Sequence, residues 1–263
     1  MHTKTHLKPA TTRLPGKLAC LAYSVLCYLF FLLVFAYLIG FVGTIGVPKG
    51  IDTGISPLPW AWAAFVDVLL ISLFAVQHSG MARRSFKAWL LNYVPAPIER
   101  ATYVLLSSLV LVLMFWLWQP IGTTVWNVES PIGRTALTGV YWLGWGMILL
   151  ATFLISHFEL FGLKQALEPI RPGKPGNHSF RTPLLYRFVR HPMYLGFLLA
   201  FWATPHMTVG HLVFALMSTL YIIIGTQFEE KDLVAVFGDH YRHYQKRVGM
   251  LVPFIGRKKE PRK

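Results

Sequence analysis

Charge is scarce in this sequence, and acidic charge scarcest: 11 Asp and Glu stand against 25 Lys and Arg, and charged residues make up only 14% of the 263 positions. A soluble domain keeps about a quarter of its residues charged to cover a wet surface, so that class is excluded. Cysteine occurs twice, as Cys20 and Cys27. Two cysteines seven positions apart give neither a disulfide framework nor a zinc-ligand spacing and read as small core residues; no metal site is expected. No glycine-rich dinucleotide fingerprint, internal repeat or low-complexity segment is present. The net charge of +14 would suit a nucleic-acid partner if it formed one patch. The basic residues instead lie in short segments between apolar runs, so no nucleic acid is expected.

What is abundant is uninterrupted apolar chain. A hydrocarbon core about 30 Å thick is crossed by roughly 20 apolar residues. Leu18 to Val47, Thr135 to Phe158 and His191 to Phe228 contain no Asp, Glu, Lys or Arg; Ile55 to Ala82 is broken only by Asp67, and Ala101 to Ile132 only by Glu129. The segments between them alternate in basic content. Lys4, Lys8, Arg13 and Lys17 precede the first run; Lys49 follows it alone; Arg83, Arg84, Lys87 and Arg100 surround the next junction; then comes Arg134, then a set from Lys164 to Arg190. By the positive-inside rule the rich segments are cytoplasmic, the amino terminus included. The tail after Phe228 holds nine more Lys and Arg and belongs on the same side, so the last 38-residue apolar stretch must go in and return. Ala203 to Gly210, marked by Pro205, is the expected turn. The reading is an all-α integral membrane protein with four transmembrane helices plus a carboxy-terminal helical hairpin, five to six membrane segments in all. Residues 1–17 form a cytoplasmic amino-terminal segment, 18–158 the four helices, and 159–263 a cytoplasmic loop, the hairpin and a cytoplasmic carboxy-terminal helix. The basic end, Arg257 to Lys263, suits anionic headgroups.

Chemistry concentrates at the two ends of that hairpin. Arg190-His191-Pro192-Met193-Tyr194-Leu195-Gly196 opens a helix, where Pro is tolerated and unpaired amides favour an anion such as a carboxylate. Arg190 adds a charge-assisted fork, and Gly196 permits close approach of a ligand or a neighbouring helix. The competing reading is an interfacial anchor. Glu229 and Glu230 close the hairpin, adjacent carboxylates that are costly at a membrane boundary unless a cation or hydrogen-bond donors meet them. A hairpin makes these two ends neighbours. Elsewhere, Asp67 and His78 lie three turns apart on one helix face; Asp67 suits pairing with a neighbouring helix, and His78 suits either a cap or a base. His157, His206 and His211 read as satisfied interfacial histidines, and Glu99-Arg100 as a local helix-start pair.

The run RHPMYLG, then FEEKDLVAVFGDHYRHYQKRV, then VPFIG resembles the signature of the isoprenylcysteine carboxyl methyltransferase superfamily. Thr182-Pro183-Leu184-Leu185-Tyr186 resembles the element that the family carries just upstream. QHSGMARRSFKAWL at 77–90, PAPIERATYVLLSSL at 95–109 and FWLWQP at 115–120 narrow the resemblance to the bacterial methanethiol S-methyltransferases, with nitrite-reductase-accessory membrane proteins sharing parts. The likeness runs from about residue 20 to 255. It implies S-adenosylmethionine as methyl donor, bound at the hairpin ends by Tyr186, Arg190, His191, Tyr194, Gly196, Glu229 and Glu230, with Tyr241, Tyr244 and Arg247 closing over it. It also implies a bacterial inner-membrane location and a small-molecule thiol as the acceptor.

A small alkyl thiol is mostly protonated at neutral pH, whereas the thiolate is the nucleophile. Either His78 as a base or Arg247 as a nearby cation would raise the thiolate fraction. Other acceptors, such as a prenylcysteine carboxylate or a lipid amine, stay open. So do a nicotinamide-dependent reductase and a non-enzymatic accessory or transport role. A prenyl chain would need a long channel, which Trp60, Trp62, Trp116, Trp118, Trp142, Trp145 and Trp202 could fill, although core packing and interfacial anchoring explain those residues equally well.

Overall fold

The computed structural model describes residues 14–171, 182–253 and 255. Helix α1 (Leu14–Gly43) leads into α2 (Trp60–Ala82) and the short α3 (Arg84–Leu90); a tight turn over Ala96–Ile98 opens α4 (Glu99–Leu117). Strand β1 (Thr124–Asn127) precedes α5 (Pro131–Ile155) and two short helices, α6 (His157–Leu160) and α7 (Leu163–Leu167). A turn at Leu184–Arg187, α8 (Pro192–Trp202), β2 (His206–Thr208), α9 (Val209–Phe237) and α10 (Asp239–Arg247) complete the order. Five helices are long and apolar enough to cross a membrane: α1, α2, α4 with its opening turn, α5 and α9. The chain is an all-α membrane protein.

The helix ends follow local chemistry. Ser130 accepts from the Gly133 amide with Pro131 in the first helical position of α5, and Thr208 accepts from the His211 amide to start α9. The α4 helix stops at Leu117, well short of the span expected to reach Ile132. Pro120 disfavours helix for the residue before it, and buried Asp67 on α2 takes the Gln119 amide at 2.8 Å. Asp67 thus ties the chain leaving α4 to α2.

The hairpin is asymmetric. Two spans of about 19 residues were expected, but α8 has 11 residues and α9 has 29. At about 1.5 Å per residue α8 rises only some 16 Å. Ala203 then makes a tight turn, with the Thr204 amide on the Trp202 carbonyl, and His206–Thr208 runs on as an extended strand. An extended chain at that depth must pair its amides and carbonyls within the protein. Residues past α4 provide the partner, with β2 antiparallel to β1 and the amides of Val128, Val209 and Gly210 bonded to Pro205, Thr123 and Ile121. The returning arm and the polar helix expected after it are one continuous helix, ended by Gly238 at φ 57°.

The core gathers Val34 and Phe41 from α1, Phe115 and Trp118 from α4 and its end, Trp145 from α5 and Phe214 from α9. Trp118 and Trp145 are buried, Trp202 half-buried, and Trp60, Trp62, Trp116 and Trp142 turn outward. The tryptophans therefore divide between core packing and the outer surface. Cys27 is buried and Cys20 half-buried on α1. Glu99 opens α4, while the Arg100 guanidinium turns to the Leu160 carbonyl. His157 is held between Tyr28 and Thr152, buried His211 bonds the Phe201 carbonyl, and His206 is exposed. Lys4, Lys8 and Arg13, most of the Pro- and Gly-rich loop after Arg171 and the basic end from Arg257 lie outside the described residues, while Lys17 donates to the Pro169 carbonyl at 2.9 Å.

Candidate functional site

The hairpin brings its ends together as its sequence requires. Glu230 stands in the last turns of α9 beside Arg190 at the foot of α8, with Arg190 Nε 2.5 Å from Glu230 Oε1. The Arg190 side chain is 1% exposed, and its guanidinium also donates to the carbonyls of Gln245 (3.2 Å) and Val248 (2.6 Å). Glu230 accepts further from Gln245 Nε2 at 2.9 Å, His191 Nε2 at 3.3 Å and the Tyr241 hydroxyl at 3.4 Å. A buried ion pair survives desolvation only when its remaining donors and lone pairs are met. Here they are met from α8, α9, α10 and the strand-like segment beyond. The backbone joins the same clasp: Arg190 and His191 amides bond the carbonyls of Gly249 and Met250, and Val189 bridges Gly249. Arg190 and Glu230 are thereby committed mainly to each other.

Glu229 differs from its neighbour. Its side chain is 44% exposed and accepts from the Tyr194 hydroxyl at 2.8 Å, with His191 Nδ1 at 3.7 Å. The His191 and Tyr194 rings stack at 5.6 Å. No side chain caps the first turn of α8, so the site offers a carboxylate, two stacked rings and backbone donors at one helix start. Tyr186 lies just before it, and its carbonyl accepts the Tyr244 hydroxyl. Burial raises the Tyr186, Tyr241 and Tyr244 phenols above their ordinary range, and the carboxylates Glu229 or Glu230 push in the same direction. All three stay protonated donors at neutral pH.

Three expected site residues stand apart from this cluster. Gly196 is packed against a helix: a β-carbon on it would sit 2.7 Å from the Gly144 carbonyl oxygen of α5, and one on Gly144 would sit 2.6 Å from that of Gly196. Close approach is its use, toward a helix. Arg247 lies exposed at the end of α10. His78 lies at the end of α2 against α4, 2.8 Å from the Tyr103 hydroxyl and 3.2 Å from Ser107 Oγ.

Sequence reasoning missed Gln245, whose buried amide completes the clasp, as well as Tyr103 and Tyr221. Tyr103 bonds His78, and Tyr221 accepts from Ser79, the next residue along α2. Tyrosines inside apolar helices are the one signal that would have marked them, because a buried hydroxyl needs a partner. Among the described residues no group of three or more His, Cys, Asp or Glu has metal-binding geometry.

The NnrU protein family model matches residues 67–228. A methanethiol S-methyltransferase of Pseudomonas deceptionensis is 67% identical over 257 residues, covering 98% of each chain. One from Mycobacterium tuberculosis is 51% identical over 233 residues, 88% of this chain and 95% of that one. Nurim of Xenopus laevis is 30% identical over 239 residues, 83% of this chain and 84% of its own. No solved structure matches.

Proposed function

The chain belongs to the NnrU protein family and to that of the methanethiol S-methyltransferases, and from that membership we propose that it methylates methanethiol to dimethyl sulfide within the membrane, with S-adenosylmethionine as donor. The observation that carries the donor assignment is the Arg190–Glu230 clasp. It fixes the start of α8 against α9 and α10, and leaves Glu229, Tyr194, His191 and the first-turn amides as the groups toward a ligand. These fit the donor's chemistry. The amides and positive helix end suit its carboxylate, and Glu229 suits its ammonium group or ribose hydroxyls. The stacked rings of His191 and Tyr194 suit a sulfonium.

When bound, S-adenosylmethionine supplies a methyl group on a sulfonium, ready for in-line displacement. The protein's task is to hold donor and thiol in line and to exclude water, a contribution of about 7–11 kcal/mol in well-oriented systems. Tyr186, Tyr241 and Tyr244 brace the clasp on its outer side. Of the two groups proposed to favour the thiolate, the geometry supports His78, since Arg247 is exposed at the end of α10. The basic face, carrying Arg83, Lys87, Arg100 and the site, is proposed to be cytoplasmic in a bacterial inner membrane.

Membranes from cells expressing the protein are expected to form dimethyl sulfide from methanethiol and S-adenosylmethionine, faster as pH rises because the thiolate fraction rises. Methyl ester formation on a prenylcysteine analogue without dimethyl sulfide would transfer the chain to the carboxyl methyltransferases and leave the donor assignment standing. Binding of reduced nicotinamide with no affinity for S-adenosylmethionine would overturn both. Reporter fusions at Arg13, Ser130, Gly173 and Lys263 are expected to read in, out, in, in; an external reading at Lys263 contradicts the orientation.

A further inference from the structure

The polar cluster between α2, α4 and α9 is not part of the donor clasp, yet it reaches toward it. Tyr103 and Ser107, four residues apart on α4, share one helix face, and that face meets His78. Beside them Ser79 donates to the Tyr221 hydroxyl oxygen of α9 at 3.2 Å, and Phe74 sets its ring edge-on to Tyr221 at 6.2 Å. Glu229, eight residues beyond Tyr221 on α9, accepts the Tyr194 hydroxyl at 2.8 Å, so the row runs toward the donor site. Apolar helices do not carry such a row of hydroxyls and an imidazole without cost.

We propose that Tyr103 and Tyr221 line the acceptor pocket, and that Tyr103, held by His78, takes the proton of a small alkyl thiol; this rests on the methyltransferase reading. The two phenols present opposite polarities. With its proton on Nδ1, His78 donates to Ser107 and accepts from Tyr103, so the Tyr103 oxygen keeps lone pairs for an S–H. Tyr221 already accepts from Ser79, so its own proton is available to the sulfur. A thiol between them is gripped through its one polar atom, and its alkyl group meets only rings.

The step balances. The thiol proton moves to the Tyr103 oxygen as the Tyr103 proton moves to His78 Nε2, giving an imidazolium. The freed sulfur lone pair forms the new S–C bond, and the donor's C–S bond breaks with its electrons, turning a sulfonium into a neutral thioether. The charged groups facing this path are Arg100, whose guanidinium lies 5.1 Å from the Tyr103 ring centre, and Glu99, both on α4. From α9 and α8 come Tyr221, Tyr194 and Glu229. The Arg100 cation opposes a lasting imidazolium on His78, so the proton rests there only during the transfer and is released again afterwards.

Tyr103→Phe keeps the ring and removes the hydroxyl. It is expected to slow methylation of methanethiol about 100-fold near neutral pH, the scale of positioned acid–base catalysis. The wild-type advantage is expected to shrink as pH rises, because preformed thiolate needs no relay. It should shrink likewise with 2,2,2-trifluoroethanethiol, which is more acidic. Calorimetric affinity for S-adenosylmethionine is expected to stay at the wild-type value, and the melting temperature in detergent to fall only slightly for the one bond lost to His78. His78→Asn, which still accepts from Tyr103 but takes up no proton, should show the same pH signature should the Phe variant prove unstable. A wild-type to variant ratio that is constant across pH in both variants overturns the relay. Failure of the wild-type protein to bind S-adenosylmethionine would instead sink the donor reading on which it rests.

Discussion

Glu230→Ala is expected to destabilise the protein by about 3–5 kcal/mol, because it strands the buried Arg190 guanidinium without its carboxylate. Gln245, Tyr241 and His191 lose an acceptor in the same substitution. The start of α8 would come loose from α9 and α10, and with it donor binding. Glu229→Ala makes the contrast. That side chain is half in solvent and accepts one hydroxyl, so the fold should persist while affinity for S-adenosylmethionine falls ten- to a hundredfold, or about 1.5–3 kcal/mol for a charge-assisted bond. His191→Ala and Tyr194→Ala are expected to weaken binding on the same scale. Arg190→Ala with Glu230→Ala should be less damaging than the sum of the two single changes, since no buried charge is then unpaired. Thermal unfolding in detergent and calorimetry read all of these; wild-type melting of Glu230→Ala would refute the clasp.

Gly196→Val is expected to be nearly as severe, although it touches no ligand. Its β-carbon would meet a backbone carbonyl oxygen of Gly144 at 2.7 Å, an atom that cannot turn aside as a side chain would. Overpacking of this kind costs about 1–3 kcal/mol. Close backbone packing of small residues is also a main source of helix association in lipid. The larger consequence is positional. Because α8 carries His191 and Tyr194, an ångström of displacement from α5 misaligns donor and thiol, a loss of about 100-fold in rate. Gly144→Val should behave alike from the opposite helix. Either variant with wild-type turnover would show that the α5–α8 crossing does not set the site.

The membrane spans were legible along the chain because crossing a bilayer is a one-dimensional demand: length of apolar run, with charge excluded. The alternation of basic segments and the basic tail pointed to a hairpin, and the juxtaposition of Arg190 with Glu230 followed from it. The form of the hairpin was not legible. Nothing in Ala203 to Thr208 says that the outgoing helix ends after 11 residues and gives way to a short strand, since that strand pairs with β1, some eighty positions earlier. The span expected through Ile132 failed for the same reason. Trp118 to Val128 is apolar enough for a helix, but a carboxylate on α2 captures its amide and a strand on the hairpin pairs with it.

Motif residues were chosen by type and order, and type does not say which way a side chain turns. The spacing of Arg190, Gly196, Glu229 and Glu230 determined that two helix ends would meet and that a cation and two carboxylates would meet there. Only the tertiary structure decided that Arg190 and Glu230 hold each other, that Glu229 stays open, that Gly196 faces a helix, and that Tyr103 and Tyr221 stand by His78. Hydrophobicity and charge are properties of the residues and sum along a sequence; partnership across forty or more positions belongs to the packed helices, where a buried polar group takes whichever donor or acceptor the fold brings within about 3 Å.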